Sequence, residues 1–331
     1  MKESIKIDAK DKKLLYELNC NSRQSLSDLA RRVGLGRDLI AYRVRRLETE
    51  GVITKYAVVI NPYRLGFTLY KTYLRLRNNP ERVAALKKAL RNHARIYCIG
   101  ECDGTWDLLF NTLAESPYAF HRIQSDFLGE FHDIILATNV STVVNHWYFP
   151  KKYLFKGTRK AFHVGGLPEK VICDEKELRI LEILSNDARA TLAEICDKVT
   201  LTPAAVKNRI ERLEKTGVIL GYHTQMDRKK LGLTYFKARI LHTDNRAKDF
   251  TRLFDFAFAH ADICYLIEQI GDCKIELAIE VQGLTHFNEV LDTLRREFPL
   301  LIGNVETILI QNDRYRWLPL GELQAAVQKG M

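Results

Sequence analysis

Apolar positions in the first fifty residues recur at helical spacing: Leu14, Leu15 and Leu18, then Leu26, Leu29 and Val33, then Ile40, Val44 and Leu47. Gly34-Leu35-Gly36 separates the second run from the third, a short glycine-containing break of the kind that joins the two helices of a helix-turn-helix. The third run stops at Gly51, a residue suited to a left-handed C-cap, and Val52-Ile53 opens an extended segment suited to a wing. The period then changes. Short β-rich runs at 69–76, 96–100, 106–112 and 134–144 alternate with amphipathic stretches at 81–92 and 118–128. Strand-helix-strand-strand-helix-strand is the split-βαβ, ferredoxin-like order.

The pattern then repeats at a shift of 166 residues, without a gap, from Asp8 on Asp174 to Leu65-Gly66 on Leu231-Gly232. Residues 47–53 recur as 213–219, Arg23 falls on Arg189, Arg43 on Arg209 and Tyr56 on Tyr222. Strands are expected at 235–241, 263–270, 275–281 and 305–310, and helices at 249–259 and 285–297. The fold class is therefore α+β: two tandem copies of a winged helix-turn-helix module followed by a ferredoxin-like βαββαβ sensor domain. Boundaries fall at 1–60 and 61–150 for copy one, 151–170 for a linker rich in Lys, Gly and aromatics, 171–226 and 227–320 for copy two, and 321–331 for a tail.

The third helix of each module is the chemically informative one. With Ile40, Val44 and Leu47 turned inward, about 100° per residue places Arg37, Asp38, Ala41, Tyr42 and Arg45 outward. In copy two, Thr202 caps the helix, Pro203 takes its first position, and Lys207, Asn208 and Glu211 face out. Arg and Lys can contact guanine edges or phosphates, and Asn can pair bidentately with adenine. Arg46 and Arg212 lie on the flank and suit phosphates. Arg43 and Arg209 sit nearer the core edge, where a structural ion pair competes with a DNA contact.

Charge agrees with such a partner. The 331 residues carry 51 Lys and Arg against 41 Asp and Glu, a net charge of +10, which favours an anionic partner without naming it. No apolar run approaches the roughly 20 residues that span a bilayer, and the first residues show no signal-peptide pattern. Seven scattered cysteines do not make a disulfide framework. A cytoplasmic protein with no membrane association is expected.

Residues 8–56 and 174–222 resemble the Lrp/AsnC ("feast/famine") family of transcription regulators, most densely at 43–56 and 209–222. The α+β blocks resemble that family's ligand-sensing, oligomerising domain. The departure is length, since typical members carry one copy. The resemblance implies a sequence-specific regulator of double-stranded DNA that is not an enzyme, has no cofactor, and forms a homo-oligomer, with a homodimer favoured. It also implies a small-molecule effector such as an amino acid, bound near the turn between the second and third sensor strands. Gly104 and Asp107 stand there in copy one, and Gly271 and Asp272 in copy two. The competing expectation is a tight hairpin turn without a ligand.

Sheet faces such as Tyr73, Leu74, Ile240 and Leu241 require cover, and a second sheet from the same chain or another one can supply it. Family members pair sheet to sheet, so one such chain can equal one conventional dimer. Cys98-x3-Cys102 reads as buried structural thiols rather than a metal site, and no HExxH, P-loop or nucleophile-elbow spacing appears. The aromatic ends at 147–150 and 315–319 read as packing between domains. The alternative to a regulator is an enzyme resembling the sirohaem decarboxylases, which share the fold. His93, His121, His132 and His146 would then be available for a porphyrin's carboxylates.

Overall fold

A computed structural model describes residues 6–166, 170–241 and 247–315. The end of copy two at 316–319 and the 321–331 tail lie outside the described residues. Helices α1 (Ala9–Cys20), α2 (Leu26–Val33) and α3 (Arg37–Thr49) form the first helical module, and α6 (Glu175–Asn186), α7 (Leu192–Val199) and α8 (Pro203–Lys215) form the second. Both opening helices start with a capping box, Asp8 with Asp11 and Asp174 with Glu177. Each box satisfies two backbone N–H groups that a helix start leaves without partners. The apolar faces close into separate cores, with Leu15, Leu29, Ile40 and Leu47 in one and Leu181, Ile195, Val206 and Leu213 in the other.

The strands that follow do not stay with their own modules. β1 (Ile53–Ile60) pairs antiparallel with β7 (Ile219–Met226). Val58, Val59 and Ile60 enter the core of the second module, while Met226 enters that of the first. The Ser22 N–H donates to the Tyr222 carbonyl and the Ala188 N–H to the Tyr56 carbonyl. Arg23 and Arg189 lie over the Tyr222 and Tyr56 rings respectively. Because each module completes its core with the other copy's strand, the two heads are locked together rather than tethered.

The sensor blocks run β2 (Thr68–Leu76), α4 (Pro80–Asn92), β3 (Ile96–Gly104), β4 (Leu108–Ala114), α5 (Pro117–Glu130) and β5 (Ile135–Tyr148) in copy one. Copy two runs β8 (Thr234–Leu241), α9 (Ala247–Ala259), β9 (Ile263–Ile270), β10 (Cys273–Val281), α10 (Leu284–Glu297) and β11 (Asn304–Tyr315). The expected order is present in both. β5 and β11 extend beyond their expected ends because each pairs with strands of both copies: β5 with β2 and β9, β11 with β8 and β3. Those crossings join the two sheets edge to edge, so eight strands close into a barrel and the copies pair within one chain. Closure removes the open strand edges that would otherwise recruit another chain.

The linker is built in rather than free. It carries β6 (Phe162–Gly165), which pairs with β5, and Leu154 fills the first module's core. Lys151 and Tyr153 both reach Glu280 inside the barrel. Trp147 stacks on His163 and Phe149 joins the copy-two sensor core, so this aromatic end joins the two copies.

One difference between the modules makes a stability prediction. Thr200, which closes α7, has φ of 55°, the one non-glycine positive φ among the described residues. Its counterpart in the repeat is Gly34, with φ of 75°. A β-branched residue is strained there, whereas glycine is not. Thr200→Gly is expected to stabilise the chain by about 0.5–1 kcal/mol, the strain relief exceeding the added entropy of the unfolded chain. Urea denaturation with an unchanged m-value would report it.

Candidate nucleic-acid interface

On α3, the side chains of Arg37, Tyr42 and Arg45 are exposed. Leu39 and Tyr42 are 42% and 62% exposed, so this helix offers two apolar surfaces to whatever it meets. The sequence reading missed Leu39, because a leucine one residue from the buried Ile40 reads as core. On α8 the exposed set is Thr202, Lys207, Asn208 and Arg212, with Lys207 3.8 Å from Glu211 one turn on. Thr202 Oγ caps the helix by accepting from the Ala205 N–H at 3.3 Å, whereas Gly36 offers α3 no side-chain cap.

Four arginines, the exposed Arg212 among them, are tied to the caps of the opening helices. Arg43 donates to Asp8 at 2.8 Å and to Asp11 at 2.7 Å, and Arg46 to Asp11 at 2.6 Å. Arg209 pairs with Asp174 at 2.9 Å, and Arg212 with Glu177. The Asp11 N–H bond, then the Arg43 guanidinium, hold the Asp8 carboxyl down at about 2. Arg43 and Arg209 thus make the structural ion pairs weighed against DNA contact. Arg46 and Arg212, placed on the phosphate flank by helical angle, are also engaged with the body of the module. Each carboxylate that braces the recognition helix belongs to a capping box, so one side chain serves two helices.

Asp11 is completely buried under this pair of guanidinium groups. Asp11→Ala is expected to destabilise the chain by about 1–3 kcal/mol through lost charged hydrogen bonds and half the capping box. Arg45→Ala is expected to leave stability within about 0.5 kcal/mol. Thermal melts of the two variants side by side check the contrast.

The residues expected to hold an effector lie on two exposed turns at separate crossings of the barrel. Gly104 (φ 120°) abuts β11, where an added Cβ would meet the Thr307 carbonyl oxygen at 3.0 Å. Asp107 accepts from the Leu76 N–H at 2.7 Å. Gly271 abuts Val140 and Ser141 of β5, and Asp272 accepts from Asn139 at 2.8 Å. Both turns thus act as packing points between the copies, with each acid already engaged.

Inside the barrel is a constellation that the sequence reading did not identify. Glu276, aligned with exposed Asp107, is fully buried and accepts from Lys71 and Lys237 at 2.7 Å each and from Tyr73 at 2.8 Å. The available signal was the repeat itself, since Lys71 and Lys237 hold the same position in the two copies, each flanked by apolar or aromatic residues on its strand. His146 also lies inside, and burial followed by the charges of Lys71 and Lys237 keeps its ring neutral. His121 and His132 are exposed, bonding to Ser125 and the Gly129 carbonyl, while His93 ends α4. These four histidines do not converge. Cys98 and Cys102 are buried on β3, and among the described residues no cluster of three or more His, Cys, Asp or Glu could hold a metal ion. No described helix is long and apolar enough to cross a membrane.

Two helix-turn-helix heads, locked by exchanged strands onto one closed barrel, define a two-headed winged-helix protein. The winged helix-turn-helix DNA-binding family model matches residues 7–54 and 174–219. The proline dehydrogenase transcriptional activator of Rhodobacter capsulatus is 34% identical over 126 residues, spanning 37% of this chain and 81% of that protein. An uncharacterized HTH-type transcriptional regulator of Pyrococcus furiosus is 35% identical over 127 residues, 38% of this chain and 81% of that protein. The chain belongs to the Lrp/AsnC family of helix-turn-helix regulators, in a tandem form. Over its whole length it shares its fold with the siroheme decarboxylase NirDL, at a TM-score of 0.63 and 12% identity, covering 97% of this chain and 100% of that one.

Proposed function

We propose that this chain is a sequence-specific, double-stranded-DNA-binding transcription regulator without catalytic activity, whose two unlike recognition helices read two unlike half-sites. The observation carrying this is the pair of exposed recognition faces, Arg37, Leu39, Tyr42 and Arg45 on one head and Thr202, Lys207 and Asn208 on the other. These side chains lie on the exposed face of each third helix, where they would meet the bases. Heads of this kind enter successive major grooves about 34–36 Å apart. A ligand in the sensor barrel would act by favouring one disposition of the heads.

The full-length likeness in fold to a siroheme decarboxylase makes enzymatic decarboxylation the second reading. The cavities inside the barrel would leave a tetrapyrrole little room. Cavities at the barrel centre and its two junctions with the helical modules measure about 20–30 Å³ each. A cavity that takes benzene alone is about 150 Å³. Of the four candidate histidines, His146 alone reaches the interior.

Fluorescence anisotropy with the gene's upstream DNA against a scrambled duplex, over a salt series, tests the proposal. Tight selective binding is expected, with log K falling linearly in log salt. Selection from random DNA is expected to return a non-palindromic site. Equal, weak affinity for every duplex at low salt, together with a sirohaem absorbance shift, would transfer the argument to the enzyme.

A further inference from the structure

Charge is unevenly shared between the two heads. Residues 1–60 carry 13 Lys and Arg against 8 Asp and Glu, and the linker at 151–170 carries 6 against 1. Residues 171–226 carry 8 against 9. The first head and the linker thus hold a surplus equal to the whole net charge of +10, while the second head is slightly acidic. At physiological salt charges act over about 8 Å, so a surplus on one head does not serve the other.

The linker packs on the basic head. Leu154 fills its core, and Phe155 meets Tyr16 of α1 with ring centroids 5.6 Å apart. Lys13 Nζ lies 5.1 Å from the centre of the Phe155 ring. Glu17, buried on α1, pairs through one oxygen with Arg159 of the linker at 2.6 Å and with Arg32 of α2 at 3.8 Å. That carboxylate therefore brings two guanidinium groups together and joins the linker to α2. Beside them in the chain stand Arg31, which pairs with Asp28 at the surface, and the exposed Lys156 and Lys160. The repeat does not reproduce this surface. At the shift of 166 residues Glu17 falls on Ile183, Arg31 on Asp197 and Arg32 on Lys198. Lys13 falls on Arg179, which pairs with Glu182 at 2.5 Å.

We infer that the linker and α2 of the first head form a phosphate-binding surface for duplex DNA, holding the backbone beside the groove that α3 enters. In helix-turn-helix complexes the helix before the recognition helix crosses the backbone, and α2 holds that place in the chain. Contacts of this kind release counterions and are indifferent to sequence. The chain then grips any duplex through its first head. The second head, without a comparable surplus, adds affinity where α8 meets its own half-site. The inference rests on the regulator reading and adds to it an order of engagement, first head before second.

Fluorescence anisotropy of the full chain on a scrambled duplex, over a salt series, tests it. Lys156→Ala with Lys160→Ala is expected to weaken binding about tenfold and to flatten the slope of log K against log salt by about two. Arg31→Ala with Arg32→Ala is expected to do the same. On the second head, Arg179→Ala with Lys198→Ala removes as much charge from the matching face and is expected to cost less than about threefold. Arg295→Ala with Arg296→Ala, on exposed α10 of the sensor block, separates local contact from net charge and is expected to cost equally little. A loss below about threefold from the linker pair, or an equal loss from the second-head or α10 pair, would overturn the inference. If the unaltered chain selects the upstream duplex while the linker pair changes nothing, the inference fails and the regulator reading stands. If the unaltered chain binds no duplex at low salt, both fail.

Discussion

Asn208→Ala is expected to weaken binding at one half-site by about 10- to 100-fold and to leave the other unchanged. Asn208 is exposed on α8, in the position where an asparagine can pair bidentately with adenine, a contact of about 1–3 kcal/mol in discrimination. Its counterpart in the repeat is Tyr42, which has no such pairing but presents an aromatic surface, with Leu39 beside it, suited to a thymine methyl. Asn208→Ala removes no charge, so the salt dependence should keep its slope, whereas Lys207→Ala should reduce that slope by about one if Lys207 meets a phosphate. Tyr42→Asn should shift the preferred half-site of the first head toward that of the second. Anisotropy on duplexes mutated one half-site at a time separates these cases. Equal losses at both half-sites with Asn208→Ala would sink the idea of two unlike readers.

Glu276→Gln should produce the largest loss of stability among these variants, about 3–5 kcal/mol, because it leaves two buried ammonium groups facing a neutral amide. A typical domain has only about 5–15 kcal/mol in total, so cooperative unfolding at much lower urea is expected. Replacing the set together, Glu276→Leu with Lys71→Met and Lys237→Met, is expected to be near neutral or stabilising, since it removes the desolvation penalty along with the attraction. That triple variant separates the worth of the charge network from the worth of the barrel.

The same carboxylates set the acid limb of stability. Burial works to raise the pKa of both, yet Lys237 and Lys71 hold Glu276 far below its ordinary range, and Lys151 and Arg228 hold Glu280 at about 2. A depressed folded-state pKa contributes stability above the unfolded value, about 4.3, and that contribution is lost as pH falls toward the folded value. Stability should therefore fall between about pH 4 and pH 2, with Glu280 contributing across that window. Urea midpoints measured from pH 7 to pH 2 would show it, and a flat midpoint below pH 4 would contradict the ion-pair geometry.

The helix-turn-helix heads were legible because their evidence is local and periodic. Three apolar residues per helix, a cap at Thr202 and a glycine at 51 or 217 are signals carried within a few residues of one another. Duplication then served as an internal control, showing the same register twice. The order of the sensor strands followed from the same periodicity, although their ends did not, since a strand continues for as long as a neighbour accepts its hydrogen bonds. The neighbours that prolong β5 and β11 belong to the other copy.

Tertiary structure decided what depends on contacts over long sequence separation. Whether Arg46 is free for a phosphate depends on Asp11, 35 residues away, and on the helix crossing that brings the two together. Lys71 and Glu276 are separated by 205 residues, and nothing in either neighbourhood reveals that they share a buried pair. By itself, the sequence determined the kind of modules, their number, and the helices able to face DNA, since periodicity and capping act at short range. The closed barrel, the exchanged strands, the welded linker and the charged interior came only with the fold. Each is a pairing whose partner is chosen by burial and by Coulomb attraction at low dielectric, and these take effect only once distant segments have met.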